Sequence, residues 1–109
     1  MIGVGLAAAT TMVLVQAPTA SAATWTTFYA QESVKIRQKP TKSSTALGLV
    51  PKSAAAKALM SGGSVKVYQG GMHNACGSKG NIKYNQWDKV RYKGITGYVP
   101  HPCMLPFKP

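Results

Sequence analysis

The chain has 109 residues, and its 13 Lys and Arg against only 2 Asp and Glu give a formal net charge of +11 at pH 7. A chain of this length supports one small domain, and so few carboxylates argue against an active site built on a carboxylate pair. The basic excess implies an anionic partner, or at least long-range attraction to anionic surfaces.

The N-terminal part has the pattern of a secretory signal. Residues 1–22 carry no charge, Ile2–Val15 is an apolar run, and Ala20–Ala22 has the small-x-small pattern of a cleavage site. The apolar run is shorter than the roughly 20 residues that a spanning helix needs. We therefore expect a signal peptide over residues 1–22, no membrane anchor, and a product that is secreted, extracellular or associated with the cell wall.

Short extended segments follow, separated by turn residues. Ala23–Ser33 is a lead-in that forms either a partly ordered arm or a first edge strand. Val34–Arg37 alternates apolar and basic residues, as a half-buried strand does. Pro40–Thr45 is a polar loop. Ala46–Val50 is the next strand, which Pro51 ends because proline cannot donate to the ladder.

The second half of the chain contains further strand patterns. Val65 and Val67 alternate with polar residues and predict a strand, whereas Gly70–Asn81 is rich in Gly, Ser and Asn and predicts a loop. Trp87–Val99 predicts a hairpin, because alternating apolar and basic residues are followed by Lys93-Gly94, where glycine allows the backbone to turn.

Four segments together resemble the bacterial SH3 (SH3b) domain family: VKIRQKP at 34–40, TKSST at 41–45, ALGLV at 46–50, and WDKVRYKGITGYV at 87–99. The family motif has the order V-x-V-R-x-x-P, a Ser/Thr-rich loop, an apolar-Gly-x-apolar strand, and W-x-K-V-x-x-x-G-x-x-G-[WY]-V. The resemblance covers about residues 33 to 103, most of the chain after the signal.

This resemblance implies an all-β fold, a small SH3-like barrel of five to six short strands with a long inserted loop or hairpin over Met60–Gln86. The domain would span residues 34–105, between the lead-in 23–33 and a C-terminal tail, residues 106–109. It also asks for a strand at Ser53–Met60, although these residues prefer helix by intrinsic propensity. We predict the strand.

The resemblance also implies a secreted, non-catalytic binding module that associates with bacterial cell-wall peptidoglycan. The positive charge favours anionic wall polymers, whose phosphate or carboxylate groups suit Lys and Arg. We expect no enzymatic activity, no cofactor and a monomer. Two alternatives stay open: a module that binds another secreted protein, and a binder of polyanions or nucleic acid, although export argues against an intracellular nucleic acid.

Basic and aromatic residues supply the candidate ligand-binding site. Two triplets have the spacing i, i+2, i+4, which places each on one face of a strand: Lys35, Arg37 and Lys39, and Lys89, Arg91 and Lys93. Surface lysines also keep small sheets soluble, which accounts for some of them. Exposed aromatics line the ligand groove of SH3-like barrels, and the candidates are Tyr29, Tyr68, Tyr84 and Tyr98. We expect Lys52 and Lys57 to matter less.

Cys76 and Cys103 are expected to form a disulfide, because they are the only two cysteines in a chain with an export signal. Pairing would remove the thiolate that a Cys/His nucleophile needs at His73 and Cys76. A zinc or copper(I) site is an alternative, since His73 and His101 each stand near a cysteine and a methionine. Their spacings are unusual for metal ligands, and we predict no metal site. Asp88, beside Trp87 and Lys89, is expected to be a surface ion-pair partner.

The signal pattern predicts that the secreted protein begins at Ala23, after cleavage behind Ala22. N-terminal sequencing or intact-mass measurement of protein from culture medium checks this. A product that still carries Met1 would contradict the prediction.

Overall fold

The computed structural model describes residues 23–76 and 84–109 of the chain, so the expected signal peptide lies outside the described residues. The described residues form an all-β fold, as predicted, with one turn of 3-10 helix at His101–Cys103. The described residues contain nine strands where five to six were expected: β1 (Trp25–Ala30), β2 (Val34–Arg37), β3 (Ala46–Val50), β4 (Ala55–Ser61), β5 (Ser64–Val65), β6 (Val67–His73), β7 (Tyr84–Tyr92), β8 (Ile95–Pro100) and β9 (Met104–Leu105).

The strands pair antiparallel in the order β3-β2-β8-β7-β4-β1-β9, with β5 added to β4 and β6 added to β7. No pairing among the described residues joins β3 to β9. The sheet is therefore not closed by hydrogen bonds, and the barrel part of the prediction is not confirmed. In the described part of the chain, no helix is long and apolar enough to cross a membrane.

Alternation of side chains gives the sheet one packed side and one outward side. In β2, Val34 and Ile36 are buried while Lys35 is exposed, as the period of two in the sequence predicts. The buried core continues through the other strands. It consists of Phe28, Ala30, Val34, Ile36, Val50, Ala56, Ala58, Val90, Val99, Cys103 and Met104.

The lead-in over residues 23–33 belongs to the sheet. Its strand β1 pairs with β4 from Trp25 to Tyr29 and with β9 at Tyr29 and Ala30, so it is neither an arm nor an edge strand. Phe28 and Ala30 are buried in the core. Apolar residues at alternate positions in β1 thus extend the packed unit upstream of the expected domain start at residue 34.

The expected strand within Ser53–Met60 is confirmed as β4. Its helix-favouring alanines adopt a strand because Ala56 and Ala58 alternate into the core, where small side chains fit beneath neighbouring strands. Tertiary packing here overrides intrinsic helix propensity.

The loop predicted over Gly70–Asn81 is wrong at its start, because β6 continues to His73 and pairs with β7. Gly70 and Gly71 lie within this strand. A Cβ at residue 70 would collide with the Pro40 carbonyl oxygen and lie 2.9 Å from Cδ1 of Trp87. Glycine is therefore needed at this position because the backbone of β6 passes close to Pro40, and not because the chain turns there.

The predicted disulfide is present. Cys76, just after β6, is bonded to Cys103 in the 3-10 turn after β8, and their Cα atoms are 5.0 Å apart. Cys103 is fully buried. The bond therefore links the β6 end of the inserted segment to the core.

Replacing both cysteines with alanine should lower the free energy of unfolding by about 3.5 kcal/mol, because the bridge closes a loop with a sequence separation of 27 residues. Urea unfolding of the variant and of the oxidised and reduced wild-type protein measures the loss. Thiol titration of the unfolded, non-reduced protein is the control. Two reactive thiols per chain would contradict the disulfide.

Candidate functional site

A surface that is both basic and aromatic lies on the outward side of β2, β8 and β7. Tyr98 of β8 stands opposite Arg37 of β2 and opposite Lys89 of β7. Directly opposed residues of neighbouring strands share one side of a sheet. The register therefore brings one member of each predicted triplet to the same predicted aromatic residue.

Tyr68 of β6 completes this arrangement. Its ring meets the Tyr98 ring edge-on, with the ring centres 5.1 Å apart. The Lys66 ammonium lies 5.1 Å from the centre of the Tyr68 ring, and the Lys89 ammonium lies 5.8 Å from that of Tyr98. We call Arg37, Lys89, Tyr68 and Tyr98 the basic–aromatic face.

Arg91 continues the outward row of β7 beyond Lys89. Its guanidinium carbon lies 4.1 Å from the centre of the Trp25 ring, which is stacking distance. The sequence analysis did not include Trp25 in the site. No local sequence pattern could have predicted this contact, because Trp25 and Arg91 are far apart in sequence and are brought together only by the strand order β1-β4-β7.

Four other predicted residues lie outside this face. One of them, Tyr29, is in β1, three strands from β8. Lys35 is exposed opposite Leu49, and Lys39 lies in the loop beyond β2, so the first triplet does not stay on one flat strand. Lys93 lies in the turn after β7, with a φ of 48°, and its ammonium is 5.5 Å from the centre of the Tyr92 ring. A spacing of two holds a common face only within a strand.

Tyr84 begins β7 opposite His73, and the role predicted for its side chain stays a prediction. Lys57, expected to matter less than the triplets, in fact lies directly opposite Arg91. Lys57 therefore lies on the same outward side of the sheet as Arg91, and this basic surface continues from β7 onto β4. Lys52 lies in the turn between β3 and β4 and is exposed.

A cleft of about 380 Å³ opens beside the basic–aromatic face. The basic residues Lys35, Arg37 and Lys42 line it together with Glu32 and the Cys76–Cys103 bridge. Arg37 donates a hydrogen bond to the Ser44 carbonyl at 3.0 Å, which ties β2 to the loop that follows it. The sequence analysis did not include Lys42, because it lies in a loop with no periodicity.

Trp87 and His73 pack together at the back of this cleft. Trp87 is only 1% exposed, and its Nε1 donates a hydrogen bond to the Gly71 carbonyl at 2.8 Å. The ring centres of His73 and Trp87 are 5.2 Å apart, and His73 Nε2 lies 3.0 Å from the Gln86 carbonyl oxygen. Trp87 is therefore fully buried against β6.

Both thiols of the alternative metal site are used by the disulfide, and His73 is packed on Trp87. Across residues 23–76 and 84–109, no cluster of three or more His, Cys, Asp or Glu side chains is arranged to hold a metal ion.

Asp88 is fully buried, so its assignment as a surface ion-pair partner was wrong. It points to the opposite side of β7 from Trp87 and Lys89, and its Oδ1 lies 2.7 Å from Nδ1 of His101. Its Oδ2 has no hydrogen-bond partner among the described residues. Burial raises the pKa of the Asp88 carboxyl, and the hydrogen bond that His101 donates to the Asp88 carboxylate raises the pKa of His101 above its ordinary 6.5.

These raised pKa values predict that stability falls as the pH rises. The folded protein holds protons that the unfolded chain releases, so the stabilisation is complete below the unfolded pKa and is lost as the pH passes the folded pKa. For His101 this loss begins above pH 6.5. Asp88→Asn removes the carboxylate that raises the His101 pKa and should flatten the fall.

Thermal unfolding from pH 5 to 9 at constant ionic strength measures this dependence, and NMR titration of His101 gives its pKa in both proteins. An equally steep fall in Asp88→Asn, with an unchanged His101 pKa, would contradict the assignment.

Comparison of the chain with protein-family models, with curated proteins and with solved structures finds no match to any of the three. The functional assignment therefore rests on the residues and geometry described above.

Proposed function

We propose that this protein is a secreted, non-catalytic binding module of the SH3b type, which associates with the bacterial cell wall by binding an anionic wall polymer. The observation that carries the proposal is the position of Tyr98 between Arg37 and Lys89, with Tyr68 edge-on to it. Cations flanking clustered aromatic rings suit an extended ligand that carries both sugar rings and charged groups.

The strand arrangement supports the SH3b part of the proposal. Three of the four segments that carry the resemblance form β2, β3 and the β7-β8 hairpin, and the fourth lies in the loop between β2 and β3. These four strands are consecutive neighbours in the order β3-β2-β8-β7. Motif residues that are far apart in sequence are thus brought into neighbouring strands of the sheet.

The charge distribution supports an anionic ligand. Asp88, one of the two acidic side chains, is buried against His101, and the other, Glu32, lines the cleft that Lys35, Arg37 and Lys42 also line. Among the described residues neither carboxylate forms an ion pair with Arg37 or Lys89, so the charges of these two cations are available to a ligand. The field of such charges speeds encounter with anionic polymers and weakens as salt screens it.

Binding to purified cell walls tests the proposal. We expect the mature protein to sediment with walls at low salt, and to be released progressively between 50 mM and 500 mM NaCl as the Debye length shortens. Changing both Arg37 and Lys89 to Gln should weaken binding by about tenfold, which corresponds to about 1.4 kcal/mol.

Changing Lys52 and Lys108 to Gln is the matched control, because it removes the same two charges elsewhere. Lys52 is in a turn, and Lys108 lies over Tyr29 of β1, three strands from β8. Equal losses in both variants would contradict a specific face. Unchanged binding to walls stripped of their anionic polymers would contradict an anionic ligand and favour peptidoglycan itself.

Recognition of another secreted protein is a second candidate function, favoured by the edge strand β3. Leu47 and Leu49 are 42% and 49% exposed on this edge, whose outer hydrogen-bonding groups are available to an added strand. Binding of this kind would resist salt. Loss of wall association on changing Leu47 and Leu49 to Gln, with no effect of Arg37 and Lys89, would support it.

A further inference from the structure

Two like charges oppose each other in the middle of the sheet. Lys57 of β4 and Arg91 of β7 are direct cross-strand partners on the outward side. Like charges in this position destabilise a sheet. Neither residue has a carboxylate within ion-pair distance in the described part of the chain, where the recorded ion pair is that of His101 with Asp88. The fold therefore keeps a repulsive pair without an internal counter-ion.

A hollow of about 310 Å³ lies beside this pair. Lys57, Arg91 and Lys93 line it together with Thr27, and Ala55 and Ala56 form part of its apolar wall. All three cationic side chains are exposed. The hollow is thus open to solvent and surrounded by three positive charges.

Two contacts hold these groups in place. The Arg91 guanidinium carbon lies 4.1 Å from the centre of the Trp25 ring, and this cation–π contact restrains the guanidinium. The Lys57 ammonium donates a hydrogen bond to the Thr27 hydroxyl at 2.8 Å. Because these side chains are already restricted before binding, less conformational entropy is lost when a ligand binds.

We propose that this hollow binds a phosphate group of an anionic polymer. An arginine edge, two ammonium groups and a threonine hydroxyl offer donors from several directions, which suits a tetrahedral anion with several acceptor oxygens. The bound phosphate would neutralise the repulsion between Lys57 and Arg91. The inference rests on the proposed function for the source of the phosphate, and it adds a second contact point next to the basic–aromatic face.

Inorganic phosphate is the probe for the site. Thermal unfolding at pH 7 is compared between phosphate and NaCl at equal ionic strength, so that screening is matched. A ligand that binds only the folded state raises the melting temperature. We expect a rise on the order of 5–10 °C when phosphate exceeds its Kd tenfold.

Lys57→Gln should have two opposite effects. Without phosphate its melting temperature should be about 1–5 °C higher than that of the wild type, because the cross-strand repulsion is gone. With phosphate its gain should be reduced by at least half. Arg91→Lys keeps the charge but loses the planar donor edge, and it should also lose most of the gain. Lys52→Gln is the charge-matched control and should keep both wild-type values.

No greater stabilisation by phosphate than by NaCl in the wild type would overturn the site. Full retention of the phosphate gain in both Lys57→Gln and Arg91→Lys would overturn it as well. Failure of the proposed function is distinguishable, because phosphate would then stabilise the protein while walls with and without phosphate polymers bound it equally or not at all.

Discussion

The register of strand β7 is the constraint on which the rest of the structure depends, because the two sides of this strand carry different kinds of side chain. Val90 faces the core and Asp88 faces His101, while Lys89 and Arg91 face solvent. The same strand pairs with β4, β6 and β8. A shift of one residue in its register would bury the cations and expose the core. The positions of the basic–aromatic face and of the hollow beside Lys57 and Arg91 are thus set by the packing of the opposite side.

Local pattern predicted much of the fold. The bounds of β2 and β3 follow from alternation and from the stop at Pro51, and both strands occur as expected. The sequence pattern gave a wrong prediction at glycine, which occurs both in loops and at points within strands where two backbones pass close together. Gly70 has the composition of a loop, yet it lies in β6 because the chain passes close to Pro40 there. The place of β1 beside β4 depends on a long-range pairing that no local pattern encodes.

The candidate site was predicted in part for the same reason. Tyr98 and Lys89 both lie in the segment 87–99, the last of those that resemble SH3b domains. The hairpin turn within this segment is enough to bring them opposite each other. Lys57 reaches Arg91 only through the β4-β7 register. Asp88 was misassigned because its sequence neighbours point the other way, and one residue of offset in a strand separates a surface side chain from a buried one.

The two tryptophans of the chain occupy unlike environments, and this gives the protein two intrinsic optical reporters. Trp87 is sealed beneath β6 and hydrogen-bonded to Gly71, so its emission changes when the sheet opens. Trp25 lies at the surface under the Arg91 guanidinium, where a change in the position or hydration of that cation alters the emission of the ring. A ligand bound at Arg91 would therefore change the emission of Trp25 while leaving that of the buried Trp87 unchanged, whereas unfolding would change both, and neither measurement needs an added label.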